Sequence, residues 1–290
     1  MIGLHHALGR FLAVADSSDR LLITYRYSTE TMRSYFHPVA PPGAPPLTLA
    51  SPHDHPWHTG MFFAWKFIDG INFWEPGQGR TVSRTLTVTA HRSEEVSWSQ
   101  ENEWRIGAAG EGPALLREQR DLTVRLLDER RYAIHWRLTF RADHARRLHA
   151  DPDRGYGGLG IRLIRDFQAH PKLVTTGGPK DLASIRGTRT PWAAFTGRYD
   201  ATHEWASLVL FEHPSNPGFP APIFLGKDLC AMAFLGSGFT FGRDYAVQPD
   251  APLTLRYTVL VQRGEISSED CQALAKDLVE AEEEGTLKEE

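Results

Sequence analysis

Tyr132-Ala133-Ile134-His135-Trp136-Arg137-Leu138-Thr139-Phe140-Arg141 decides the fold. Large apolar side chains hold every even position, and small or polar ones every odd position. Successive side chains of a strand point to opposite faces, so a strict period of two marks a strand with one buried face. A helix would need its apolar residues three and four apart. The same alternation extends in both directions. Leu122, Val124 and Leu126 alternate with Asp121, Thr123 and Arg125 upstream. Leu253, Leu255, Tyr257, Val259 and Val261 alternate with Thr254, Arg256, Thr258 and Gln262 downstream. Val82, Leu86, Val88 and Ala90 suggest a further strand, as do residues 20–27 and 205–211.

Turn chemistry separates these runs. Asp128-Glu129-Arg130 lies between two alternating segments and reads as a short hairpin. Residues 41–46 and 214–222 are proline-rich loops, where fixed φ and missing donors exclude regular pairing. Residues 144–158 form a long polar connection that ends in glycines. One helix is expected, at about 267–283. Ser267 or Ser268 can cap it, Glu269 and Asp270 suit its first turn, and Cys271, Leu274, Ala275, Leu278 and Val279 make an apolar stripe. An acidic tail, 284–290, follows. The expected fold is all-β: a large twisted two-sheet β-sandwich with a short C-terminal α-helix, residues 1–290 forming one domain.

Composition narrows the function. The net charge is −4, and the 32 Lys and Arg are scattered, so no nucleic-acid partner is expected. No run reaches the ~18 apolar residues of a membrane helix, and no membrane partner is expected. Residues 1–14 lack the apolar core of a signal peptide. The two cysteines, Cys230 and Cys271, make no disulfide framework, which fits a reducing, cytoplasmic setting. Oligomeric state is left open.

Histidines carry the chemistry. Of 13 in the chain, three fall within six positions, His53, His55 and His58, beside Asp54 and ahead of the apolar run 61–65. Imidazoles beside a carboxylate suit proton transfer on a sugar or hydroxy substrate, or metal ligation. The plainer alternative is a turn built by Pro56 and Trp57 whose histidines bond to backbone. His213 and Asn216 sit in a proline-flanked strand end, which suits either positioning or a simple turn. In Tyr156-Gly157-Gly158-Leu159-Gly160-Ile161-Arg162 the spacing is not a dinucleotide fingerprint. Its glycines suit positive φ or close packing, leaving Arg162 to meet a carboxylate or sugar hydroxyls, or a core acid. Trp74 beside Glu75 suits stacking on a sugar ring, with core packing as the alternative. Glu118, between Arg117 and Arg120, is either a general base or one half of an ion pair.

Taken in order, 33–39, 54–60, Phe73-Trp74, Glu118, 156–162 and 213–217 resemble the motifs of the DUF6807 family, also labelled PmoA-like or "methane oxygenase PmoA". The resemblance spans residues 20–262. The family usually has histidine where Trp57 stands and arginine where Thr59 stands. The resemblance implies a sandwich of the galactose-mutarotase type and a sugar-handling site. On that basis the expected activity is a carbohydrate-active enzyme acting on a sugar or glycoside, by hydrolysis, elimination or epimerisation, with no cofactor and no metal. His58 would transfer one proton, and Glu118 or His213 would be its opposite number. Arg33, Asp54, His55, Arg162 and Asn216 would bind substrate, and Trp74 would stack on it. Two alternatives remain: a metal-dependent oxygenase, as the label says, and a non-catalytic sugar-binding sandwich.

Overall fold

The computed structural model describes residues 2–150, 155–169, 171–225 and 233–286. Two large antiparallel sheets face each other. One has eight strands in the spatial order Gly3–Ala7, Phe11–Ala15, Leu21–Arg26, Tyr35–Val39, Met61–Ala64, Gly158–Arg162, Phe234–Ser237 and Ile223–Leu225. The other has nine, in the order Gly178–Lys180, Lys172–Thr175, Trp192–Arg198, Trp205–Glu212, Leu253–Arg263, Arg131–Arg141, Ala114–Leu126, Glu95–Ile106 and Gly79–His91. A small four-stranded sheet joins Tyr245–Val247, Arg146–His149, Phe67–Ile68 and Ile71–Asn72.

The alternation that marks Arg131–Arg141 as a strand also sets its register. Trp136 stands opposite Leu122 on one side and Tyr257 on the other, so the apolar rows of three strands form one face. That face meets the eight-stranded sheet. Phe140 and Tyr257 pack against Phe63, with ring centroids 5.4 and 6.4 Å apart, and Trp136 meets Phe36 at 5.2 Å. The Tyr132 hydroxyl lies 3.1 Å from the carbonyl oxygens of Leu22 and Ala40 and so ties the two sheets together by polar contacts as well. The hairpin at Asp128–Arg130 forms as its residues indicate, and the Asp128 carboxylate accepts from Arg131 Nε at 2.6 Å.

The helix Ser268–Thr286 covers the outer face of the nine-stranded sheet. The Asp270 N–H donates to Ser267 Oγ at 3.0 Å, which satisfies one of the orphan donors of the first turn. Cys271 and Leu278 are buried against a patch that includes Ala133, Trp192, Phe211 and Leu260. Each large apolar side chain buried in this way stabilises by about 1.5–3 kcal/mol. Burial, with Asp270 beside it, pushes the Cys271 thiol up to about 12, so it behaves as a small apolar group. Cys230, residues 151–154 of the polar connection and residues 287–290 of the acidic tail lie outside the described residues. Several strands escape the sequence reading, among them Gly3–Ala7, Phe11–Ala15, Glu95–Ile106 and Trp192–Arg198, and Arg146–His149 is a short strand within the stretch read as a polar connection. Trp192–Arg198 is covered on both faces and does not alternate; Gly3–Ala7 is an edge strand of intermediate burial. Among the described residues no helix is long and apolar enough to cross a membrane.

Candidate functional site

Phe62 and Phe63 are neighbours on the strand Met61–Ala64 and point to opposite faces of the sheet. Phe63 faces the interior between the sheets. Phe62 faces outward, yet it is also fully buried. Something must cover that outer face, and the cover is the site. His58 packs near Phe62 and Phe234, with ring centroids at 5.9 and 4.9 Å, and Trp74 meets Phe62 at 5.2 Å. Gly160 stands in register between Phe62 and Gly236. A Cβ at Gly160 would lie 2.6 Å from Phe234 Cζ, so only glycine lets the Phe234 ring lie flat there.

The histidine loop is fastened to the end of the strand Gly158–Arg162 by backbone bonds. The Arg162 N–H donates to Gly60 O at 2.8 Å, and the Leu49 N–H donates to Arg162 O at 2.9 Å. Within the loop, the His58 N–H donates to His55 O at 2.9 Å, closing one tight turn. Side chains three apart in such a turn lie one above the other. The His55 and His58 rings accordingly stack, 4.8 Å apart and 25° from parallel.

Asp54 links this pair to the sheet. Its Oδ2 accepts from His55 Nδ1 at 2.8 Å and from an Arg162 Nη at 2.9 Å. Desolvation pushes the Asp54 carboxyl up, but the His55 hydrogen bond and the charge of Arg162 outweigh it and hold the group at about 2. An ionised carboxylate only accepts, so His55 carries its proton on Nδ1 and, when neutral, presents a lone pair on Nε2.

His58 is 1 % exposed, and among the described residues neither of its ring nitrogens has a hydrogen-bond partner. Burial, then the neighbouring His55, Arg162 and Arg33, hold it down at about 2, so the imidazole is neutral at any ordinary pH. Arg162 is fully buried, and among the described residues two of its nitrogens, Nε and Nη1, have no partner. Arg33, 3 % exposed, lies over the Phe62 ring at 4.8 Å. One of its nitrogens donates to the carbonyls of Phe73 at 3.0 Å and Trp74 at 2.5 Å, and the other terminal nitrogen, Nη1, has no partner among the described residues. Burial lowers Arg33 to about 9, against the opposing pull of Glu75, which still leaves it charged at neutral pH.

Arg33, Asp54, His55, His58 and Arg162 thus come together from three separate stretches of chain. The other candidates go elsewhere. Glu118 lies on the inner face of the nine-stranded sheet, where its carboxylate pairs with Arg120 at 2.6 Å and accepts from Trp104 Nε1 at 2.8 Å. The eight-stranded sheet stands between it and His58. His213 ends the strand Trp205–Glu212 and its Nδ1 lies 2.7 Å from Ser215 Oγ. Asn216 bridges backbone: it accepts from the Arg256 N–H at 2.7 Å and donates to Arg256 O at 2.9 Å, standing in for a strand partner. Trp74 reaches this cluster, but Tyr156 lies flat against it at 5.0 Å and 8°, and its edge meets His58. His53 is largely exposed, its Nδ1 3.2 Å from an Arg165 nitrogen. Two residues absent from the sequence reading also belong here: Lys66, buried inside an apolar run, pairs with Glu75 at 2.5 Å and lies over Tyr156 at 5.6 Å, and Phe234 floors the site. Among the described residues no three His, Cys, Asp or Glu side chains are gathered as a metal site requires.

The chain belongs to the family described as "Family of unknown function (DUF6807)", which it matches over residues 13–276. No curated protein gives a significant match. Among solved structures it is similar to the GH36 α-galactosidase AgaB of Geobacillus stearothermophilus (10% identity, TM-score 0.45), over 90% of this chain and 41% of that one. It is similar to the α-galactosidase of Lactobacillus brevis (8%, TM-score 0.42) over 91% and 40%. It is also similar to the GalM/aldose epimerase homologue of C. elegans (10%, TM-score 0.35) over 92% and 100%. The chain therefore spans about two fifths of the α-galactosidase chains.

Proposed function

We propose that the protein is a carbohydrate-active enzyme that holds a sugar or glycoside over His58 and moves a proton at it. The observation that carries this reading is a neutral, buried imidazole with both nitrogens unpartnered, set beside two buried guanidinium groups that also have nitrogens to spare. Leaving a buried donor or acceptor unmet costs ~1–3 kcal/mol each, so several together in one place indicate a ligand that meets them. Aromatic rings beside clustered donors and acceptors suit a polyhydroxy ring, whose C–H face is apolar and whose edge is polar.

Roles follow from the surroundings. His55 is the base: Asp54 fixes its tautomer and leaves Nε2 to take a proton. His58, being neutral, offers one donor and one acceptor to hydroxyls on the bound ring. Arg162 and Arg33 bind the polar edge. Glu118 and Asn216 belong to the framework.

One observation favours a second reading, a sugar-binding sandwich without turnover. An imidazole held at about 2 has no acid proton to give near neutrality. The two readings separate on a panel of free aldoses and aryl glycosides. Anomer exchange seen by proton NMR, aglycone release and appearance of an unsaturated product report epimerisation, hydrolysis and elimination in turn. His55→Ala should lower turnover by ~10²–10⁴-fold with binding retained. Binding without any turnover would leave only the second reading, and full turnover in His55→Ala would remove His55 as the base.

A further inference from the structure

We propose that the ligand of the His58 pocket bears a carboxylate, gripped by Arg33 and Arg162, so that its class is a sugar acid or a glycoside of one. This rests on reading the pocket as the ligand site.

The charges around the pocket do not cancel. Arg162 is balanced by Asp54 and Lys66 by Glu75, while among the described residues Arg33 has only carbonyl oxygens and the Met32 sulfur as hydrogen-bond partners. Arg165, 4.0 Å from Asp54, is 60 % exposed and solvated, so it stands outside the buried balance; the three buried cations against two carboxylates leave an excess of +1. A buried charge without a counter-charge is expensive, and a neutral sugar would leave that excess in place. A carboxylate removes it. A phosphate dianion would overshoot to −1. Geometry agrees with charge: both guanidinium groups have unpartnered nitrogens, and planar forks of N–H donors match a carboxylate better than any other side chain does. His58, between them, adds a neutral donor and acceptor for a flanking hydroxyl.

The test is calorimetric titration of the full chain at neutral pH with three matched sets. These are glucuronate, galacturonate, gluconate and galactonate; glucose and galactose; and glucose 6-phosphate and galactose 1-phosphate. At least one acid should bind about ten- to a hundredfold more tightly than its neutral counterpart, the range of a hydrogen-bonded charge. Arg33→Gln should erase that preference, the acid then binding the variant no more tightly than its neutral counterpart binds the same variant. The preference in the unaltered protein is informative even if the variant does not fold. Neutral sugars or phosphates binding as tightly as the acids, with that binding lost in His58→Ala, would overturn the carboxylate and keep the pocket. If no member of any set binds or moves the His55 and His58 imidazole resonances, the carboxylate and the pocket reading fall together.

Discussion

Two groups of buried charge lie on opposite sides of the eight-stranded sheet, and they are built differently. Between the sheets, Glu118 and Arg120 form a fully buried pair with Trp104 and Tyr25 as further partners. Each charge there has its opposite within reach. On the outer face, Arg33, Arg162 and His58 are as deeply buried, yet among the described residues several of their nitrogens have no partner. The first group is a matched pair of charges, although Arg120 Nη2 has no partner among the described residues; in the second, Arg33 has no carboxylate hydrogen-bonded to it among the described residues. Burial of charge therefore does not by itself mark a site; burial without internal compensation does. The helix-covered outer face of the other sheet makes the same point, since it is closed by apolar contact around Cys271 and Trp192.

The comparison breaks first at His58. His58→Phe keeps the stacked ring and removes two unmet polar atoms, so stability should hold or rise slightly while ligand binding weakens about ten- to a hundredfold, with turnover falling in step. A large drop in melting temperature with a normal rate per molecule would place His58 among framework residues. The next effect is the inverse. Glu118→Ala strands Arg120 and should lower stability by about 3–5 kcal/mol, seen as a shifted urea midpoint. The double change Glu118→Leu with Arg120→Met should recover most of it. A loss below ~1 kcal/mol in the single variant would mean the pair is not the internally balanced unit described.

The pH dependence sharpens the contrast. His58 is held at about 2 in the folded chain against 6.5 when free. Below 6.5 the unfolded chain takes up a proton that the folded chain refuses. The stability tied to this group is therefore complete above that pH and is lost progressively as pH falls from there toward 2, at up to about 1.4 kcal/mol per pH unit. The difference in unfolding free energy between the native chain and His58→Phe should change with that slope from neutrality down to about pH 4, above the range where Asp54 contributes. A flat difference would mean that His58 is as easily protonated inside as outside. The smallest effect belongs to His53. At 82 % side-chain exposure its replacement by alanine should leave stability within ~0.5 kcal/mol and turnover unchanged, which marks the rim of the site.

Strand identity was open to the sequence because it is local. Ten consecutive residues at 132–141 carry their own period, and the helix announces itself by Ser267 and the stripe from Cys271. The site was legible only in part. His55, His58 and Arg162 stand out as residue types, and glycine at 160 hints at a close approach. What could not be read is which face of which sheet each side chain joins. Glu118 and Arg162 have similar surroundings in sequence, and only the pairing of distant strands sends one inward to a partner and the other outward. Trp74 likewise reads as a stacking platform until Tyr156, from a separate loop, is found covering it. Lys66 gave no signal, since its partner Glu75 is reached through the turn after the strand Phe67–Ile68.

The order of strands around the pocket has a consequence for synthesis. Neighbouring strands Tyr35–Val39, Met61–Ala64, Gly158–Arg162 and Phe234–Ser237 are contributed by widely spaced parts of the chain. From Arg33 to Phe234 is 201 residues (234 − 33). At a ribosomal pace of about 5–20 residues per second, roughly 10–40 s separate the first site residue from the last. Throughout that interval Arg33 and the histidine loop are made but have no pocket to occupy. On the proposed reading, a ligand would act only on the finished sandwich: it would be a late stabiliser of the complete fold, and a nascent or truncated chain ending before Phe234 would lack part of the site that binds it.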